Sequence, residues 1–297
     1  MKVQSKSDII LQAVAYIVLI LLSLTIIYPF WNLIVISFNS SSDTMRGGLT
    51  FYTREFTFDN YAKVFADKRL LGAFNITVLR TVITTFFSTI FTAIFAYGLS
   101  RRKLKFRRAY SKFCTVTMYL NAGLIPAYIL MRTLHLVNSF WVFVIPSLFS
   151  VWNMIIFRTF FDNLSNGLIE AAKIDGAGEY RIFFSIVLPV SKPVVATLAL
   201  FTAVNQWNAW FDGAIYITDP KLMPLPTLLR QILNTNAASQ LMAQMSSTAA
   251  EQLGDKMIST RSLSSATMMV SVIPIAAIYP FVQKYFASGV MLGSIKE

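Results

Sequence analysis

Long runs with almost no charge divide this chain, and they leave it few ways to fold. Stretches near 9–38, 74–100, 113–131, 139–157, 190–217 and 262–283 each come close to the length a helix needs to cross a membrane, about 20 apolar residues for a hydrocarbon core of about 30 Å. Four of the six contain no Asp, Glu, Lys or Arg, while 74–100 carries Arg80 and 190–217 carries Lys192 and Asp212. In lipid, backbone polar groups must be satisfied within the protein, so such runs read as helices. The composition agrees. Of 297 residues, 55% are hydrophobic and 13% charged, with a mean hydropathy of +0.58, far more apolar than a soluble domain. The expected fold is an all-α integral membrane protein, with six transmembrane helices in a single domain over 1–297. The first run is too long for a cleaved signal peptide, and no small-residue cleavage site follows it cleanly.

Basic residues set the expected orientation. Arg101, Arg102, Lys103, Lys105, Arg107, Arg108 and Lys112 crowd the connection after the second run without one acid, and the amino terminus carries Lys2 and Lys6. The positive-inside rule places both in the cytoplasm. Six crossings return the tail, with Lys296 and Glu297, to that side, together with the insert between the fourth and fifth runs. The net charge of +12 and pI of about 9.8 therefore point to anionic lipid as counter-charge rather than to nucleic acid. Cys114 is the only cysteine, which excludes an intrachain disulfide and a thiolate zinc site, and it reads as a small core residue. His135, the only histidine, lies on a short outer turn without partners for metal binding or catalysis. No GxxxxGK[ST] phosphate cradle is present, so the chain is expected neither to hydrolyse ATP nor to hold a cofactor or metal.

The insert itself, EAAKIDGAGEYRIFFSIVLPVSKP from Glu170 to Pro193, is the most informative polar segment. Glu170 and Ile174 stand four apart with the small Ala171 and Ala172 between them, so a short helix would set a carboxylate beside a flat surface. Gly176 breaks that helix. Ile182, Phe183, Ile186 and Val187 then recur at helical spacing, and Pro189 and Pro193 mark the passage into the next span.

The pattern of Glu170, Ala171, Ala172, then Asp175, Gly176, Ala177, then Ile186, Leu188, Pro189 resembles the EAA loop of bacterial ATP-binding-cassette importer permeases. That resemblance implies the type I importer permease fold, with a coupling helix in the loop 166–189 that inserts into a cleft of a cytoplasmic ATPase. Glu170 would tether the ATPase, Ala171 and Ala172 would allow close approach, Gly176 would make the turn, and Asp175 and Ala177 complete the ATPase-coupling set. The implied partners are a second homologous permease, two ATPase subunits that bind ATP and Mg, and an extracytoplasmic sugar-binding protein. The implied location is the bacterial plasma membrane, with both termini cytoplasmic. The segments YPFWNLIVISFN, AGLIPAYILMRTLHLVNSFWVFVIP and GVMLGSIKE are similar to carbohydrate importers of the maltose-permease type, closest to those for oligosaccharides derived from polysaccharides. An importer for phosphate, spermidine or an amino acid would share the EAA loop. A stand-alone channel or scaffold would leave that loop unexplained.

Polar side chains within spans are costly unless they face a cavity or another helix. In the fifth run Asn205, Gln206, Trp207, Asn208, Trp210 and Asp212 combine amides, indoles and a carboxylate, the mixture that stacks on pyranose rings and pairs with hydroxyls. Asn121, Tyr128, Trp152 and Asn153 are further candidates for the same substrate pathway. Helix packing and interfacial anchoring are the competing roles for all of these. Arg80, near the presumed outer end of its span, is expected to snorkel to the headgroups rather than to face an acidic sugar. Gly123, Pro126, Pro146 and Pro189 interrupt helical runs, as in transporters whose backbone bends around a pathway. The outer loop 218–261, with Pro220, Pro224 and Pro226, reads either as a flexible connector or, by the resemblance, as a contact for the docked binding protein.

Overall fold

The computed structural model describes residues 6–48, 51–245, 261–277 and 280. Its helices are α1 (Lys6–Ser37), α2 (Ser41–Met45), α3 (Asp59–Ala66), α4 (Lys68–Ser100), α5 (Arg107–Tyr119), α6 (Leu124–Thr133), α7 (Trp141–Val144) and α8 (Val151–Asp162). There follow α9 (Asn166–Ile174), α10 (Glu179–Ile182), α11 (Leu188–Val190), α12 (Lys192–Asn208), α13 (Phe211–Tyr216), α14 (Leu225–Met245) and α15 (Arg261–Ala277). A π-helical stretch, Phe183–Val187, joins α10 to α11.

Two helices, α1 and α4, are each long and apolar enough to cross a membrane unbroken. Three further runs are bent. Helices α5 and α6 meet at 115°, α7 with its continuation to Ser147 meets α8 at 46°, and 179–190 meets α12 at 85°. Each bend has a local cause. Gly123 takes φ +85°, which only glycine adopts freely, and its N–H donates to Asn121 Oδ1 at 2.9 Å, closing a turn between α5 and α6. Ser150 accepts from Asn153 N at 3.3 Å and so starts α8 afresh. Pro189 and Pro193 flank Ser191 at the 85° bend, and neither can donate to a preceding turn. Pro126 does not interrupt a helix as expected: it sits in the first turn of α6, where its missing N–H costs nothing. α15 is a shorter apolar helix, and most of 278–283 lies outside the described residues. The segment read as an outer loop carries the 21-residue helix α14.

The chain divides into two compact units, 1–68 with 229–272 and 69–228 with 273–297. In the first, side chains of α1 from Ile10 to Trp31 are exposed all round, as suits a helix whose solvent is lipid. Just beyond it, the buried Asn39 ties the chain into a knot. Its Nδ2 donates to Asp43 Oδ2 at 2.9 Å, and its Oδ1 accepts from the backbone N–H groups of Arg54 and Glu55, each at 3.0 Å. The Asn39 bond, aided by the Arg54 guanidinium 2.8 Å away, holds the Asp43 carboxyl below the usual carboxylate range against the opposing effect of burial. Because the folded value is depressed, this contribution is present at neutral pH and is lost as pH falls through that value.

In the second unit, α4 turns a face of small and hydroxyl side chains inward. Ala73, Thr77, Thr84, Ser88, Thr92 and Ala96 are buried at helical spacing, while Leu79, Val82, Phe86 and Phe91 point outward. Lipid is as apolar as Leu, so helices there associate through close backbone approach and hydrogen bonds, which small residues permit. Thr77 Oγ1 accepts from Leu225 N at 2.8 Å, for example. The same logic applies at Gly213, where an added Cβ would collide with Thr227 Oγ1 and come within 2.9 Å of Pro224 Cδ.

On that inward face lies Arg80, and it does not snorkel. Its side chain is 0% exposed, with Nη2 donating to Asp212 Oδ2 at 2.5 Å and to Gln206 Oε1 at 2.9 Å. Nη1 donates to Asp212 Oδ1 at 3.2 Å and Ala209 O at 3.3 Å, and the guanidinium lies 4.2 Å from the centre of the Phe143 ring. The break between α12 and α13 makes this possible, since it frees the Ala209 carbonyl and brings Asp212 round to face the cation. A buried cation with its carboxylate removed costs about 3–5 kcal/mol. Asp212→Ala should therefore lower the thermal midpoint of the detergent-purified protein sharply, while the double variant Arg80→Met/Asp212→Leu should recover most of the loss. Equal destabilisation by the two would show that the pair is not what holds α12–α13 to α4.

Candidate functional site

Helix α9 ends in a Schellman closure built from the EAA segment. Gly176 N donates to Lys173 O at 3.0 Å and Ala177 N to Ala172 O at 2.9 Å, with Gly176 at φ +77°. Glycine is required here because the closing residue must be left-handed. The closure sorts the helix into two faces. Ile169 and Ala172 are buried with Phe157, Phe161, Ile182 and Phe183, whereas Glu170, Ala171 and Ile174 are exposed, Ile174 at 87%. The two alanines thus separate: Ala171 faces outward, and Ala172 packs beneath the helix. Asp175 and Gly176 lie exposed at its end, and Ala177 is half-buried against the core.

Sequence reasoning missed what holds this helix. Glu179, at the start of α10, accepts from Lys173 Nζ across the Gly176 turn and from Tyr97 Oη of α4 at 2.6 Å. Arg101 lies over the Tyr97 ring, 4.0 Å from its centre. Nearby, Arg107 Nη2 donates to both carboxylate oxygens of Asp162 at 2.6 Å and its Nε to Leu99 O at 2.6 Å, which ties the basic loop to the ends of α4 and α8. The Lys173–Glu179 pair was legible as opposite charges flanking a turn. Tyr97 stands 82 residues from Glu179 and carried no local signal.

A separate cavity of 700 Å³ opens between α4, the α7–α8 bend, α12 and α15. Trp152, Asn153 and Asn205 of the pathway candidates line it, beside Gln206, Thr202 and Ser150. Asn153 Nδ2 donates to Thr202 Oγ1 at 3.2 Å across the α8–α12 contact. Among the described residues none of the lining side chains is ionisable; hydroxyls, amides and the rings of Trp152, Phe149 and Phe201 make up its polar and aromatic surface. Such a lining can pair with hydroxyl groups and stack on the C–H face of a ring, and its volume suits a ligand of several such units.

The other candidates lie elsewhere. Trp207 is buried edge-on to Phe74, with ring centres 5.9 Å apart. Asn208 Nδ2 donates to Val204 O of its own helix at 3.0 Å. Trp210 stands perpendicular to the Phe211 ring, and its carbonyl accepts from Thr227 Oγ1 at 2.8 Å. Tyr128 stacks on Tyr216, Asn121 closes the Gly123 turn, and Asp212 holds Arg80. Cys114 is buried as a free thiol, and among the described residues no group of three His, Cys, Asp or Glu could hold a metal ion.

The Tyr97–Glu179–Lys173 tie generates a prediction. Glu179→Gln removes the ion pair and weakens a charge-assisted bond. Amide hydrogen exchange over 176–187 should then quicken about fivefold to tenfold, as expected for the loss of about one such bond. Unchanged exchange would show that apolar packing alone holds α10.

The chain as a whole is similar to known proteins. Residues 82–292 match the model of the binding-protein-dependent transport system inner membrane component family. The polygalacturonan/rhamnogalacturonan transport system permease protein YtcP of Bacillus subtilis (strain 168) is 33% identical over 279 residues, covering 94% of this chain and 95% of that protein. The arabinooligosaccharides transport system permease protein AraQ of the same organism is 26% identical, covering 93% and 92%. A chain from the crystal structure of a bacterial ABC transporter involved in the import of the acidic polysaccharide alginate superposes with a TM-score of 0.85 at 28% identity, covering 96% of this chain and all of that one. The match across most of its length and the full-length similarity to YtcP together make this chain a member of the binding-protein-dependent transport system inner membrane component family.

Proposed function

We propose that this chain is a transmembrane permease subunit of an ATP-driven importer of oligosaccharides. The observation that carries the reading is the 700 Å³ cavity lined by Trp152, Asn153, Asn205 and Gln206, without one ionisable group among the described residues. It sits in a fold shared with relatives named for polygalacturonan and arabinooligosaccharide transport. The hydroxyls and C–H faces of sugar rings match such a surface.

In this reading the chain crosses the bacterial plasma membrane six times, with both termini and the loop 166–189 in the cytoplasm. α9 is the coupling helix. Glu170 and Ala171, on its exposed face, meet a cytoplasmic ATPase, one of two that bind ATP and Mg. Asp175, Gly176 and Ala177 form the rigid turn, and Ala172 transmits displacement to the core through its packing with Phe157 and Ile182. A second homologous permease completes the pathway, and an extracytoplasmic sugar-binding protein delivers the cargo. Closure of the ATPases carries α9, and the bent spans rock about the cavity to expose it to the other side. Trp152, Asn153 and Asn205 are the pathway residues favoured by the cavity. Asn121, Tyr128, Trp207, Asn208, Trp210 and Asp212 are better assigned to helix packing and turns.

Glu170→Lys and Gly176→Pro are expected to leave membrane insertion intact while uncoupling ATP hydrolysis from transport, with uptake of labelled oligosaccharide reduced by more than about tenfold. Mild-detergent purification followed by mass spectrometry should recover an ATPase with the wild-type chain and lose it from Glu170→Lys. Normal uptake in both variants would sink the coupling assignment, and selective uptake of a non-sugar solute would replace the substrate.

A further inference from the structure

We propose that the groove beside the α9–α10 segment binds one anionic phospholipid of the cytoplasmic leaflet. The choice of leaflet rests on the orientation proposed above. The groove has a volume of 380 Å³ and runs along the last two turns of α4. Its apolar wall is formed by Ile94, Leu104 and Phe183, its polar wall by Tyr97, Arg101 and Glu179.

The polar wall is short of an acceptor. Glu179 accepts from Tyr97 with one carboxylate oxygen and from Lys173 with the other, and Arg101 Nε is not among its donors. Arg101 Nε is buried with no hydrogen-bond partner: its guanidinium lies over the Tyr97 ring, and Glu179, near enough to feel its charge, is not bonded to it. A buried donor left unmade is costly, so the site calls for an acceptor from outside the chain. The charge around it has the same sign. Arg102, Lys103 and Lys105 follow directly, all exposed, and no acid occurs from 101 to 112. The nearby carboxylate of Asp162 is paired with Arg107 and Arg158 instead.

A free phosphate would satisfy the arginine but leave the exposed Ile94 and Leu104 of the apolar wall uncovered. An anionic phospholipid satisfies both, with its phosphate at Arg101 and an acyl chain along the apolar wall. The loop tip carries a second, independent mark of a lipid surface. Phe106 lies between Lys105 and Arg107, 76% exposed, in a left-handed conformation at φ +60°. A large side chain adopts that conformation at a cost and gains nothing from water, whereas an aromatic ring set among cations is at home between headgroups. A lipid seated here bridges the end of α4 to Phe183 and Glu179 behind the α9 turn, so its occupancy stiffens the segment proposed to meet the ATPase.

The test uses the full chain with its co-purifying subunits, delipidated in mild detergent and titrated separately with phosphatidylglycerol and phosphatidylcholine, with native mass spectrometry as the readout. Wild type should retain phosphatidylglycerol preferentially. Arg101→Gln should weaken that retention about fivefold or more, as should the double variant Lys103→Gln/Lys105→Gln, whose exposed side chains leave the packing intact. Equal retention of the two lipids by wild type, or unchanged retention in both variants, overturns the site. Loss of retained lipid on adding inorganic phosphate at equal concentration would make it a simple anion site and overturn the lipid assignment. Orientation is read separately, because Lys105→Cys offers an exposed thiol while Cys114 is buried. Labelling of intact cells by a membrane-impermeant maleimide would overturn the importer topology while leaving the lipid measurement standing.

Discussion

The Arg80–Asp212 pair is the constraint around which the second unit is arranged. A guanidinium 0% exposed, in a helix whose outer surface is Leu and Phe, must be neutralised and hydrogen-bonded within the protein. α12 therefore ends at Asn208, and α13 begins at Phe211, where Asp212 can reach inward. Gly213 follows because the backbone there presses against Thr227 and Pro224. Gln206 bonds to Arg80 on one side and lines the cavity on the other, so that wall of the cavity is braced by a buried charge. The result is a cavity with no ionisable lining among the described residues, although an ion pair stands directly behind it.

The packing around that pair is inverted relative to a soluble bundle. α4 buries Thr77, Thr84, Ser88 and Thr92 and exposes Val82, Phe86 and Phe91. Some of its hydroxyls bond to their own helix or a neighbour, as Thr77 does with Ala73 O and Leu225 N and Thr84 with Phe143 O, while those of Thr81, Thr85 and Thr89 are buried without a partner. The bends follow the same economy. Each lies at a glycine, a proline or a capping serine, where backbone groups freed from the helix are met by a side chain or were absent from the start.

The exposed face of α9 shows how a small segment can be both rigid and available. Rigidity comes from the closure at Gly176 and from Glu179, fixed from two directions by Lys173 and Tyr97. Availability comes from the alternation that leaves Glu170, Ala171 and Ile174 outward while Ile169 and Ala172 enter the core. A helix held this way is tied firmly to the core beneath it, as the proposed coupling role requires.

Much of this was legible in the chain alone. Apolar run length is a local property, and transfer to lipid acts on each run independently, so the helical membrane class and the approximate limits of α1 and α4 followed from composition in windows. Gly176 as the end of α9 was likewise visible, because a helix end is decided by residues a few positions apart. The fate of individual polar side chains was not. Arg80 and Asp212 are 132 residues apart, and whether a lone cation in a span reaches for headgroups or for a carboxylate is settled by which helix breaks beside it. Trp152, Asn153 and Asn205 looked no different in sequence from Trp207, Asn208 and Tyr128, yet only the first three meet the cavity. Facing is set by helix rotation and crossing, which arise from contacts summed over the whole bundle, and no window of sequence contains that sum.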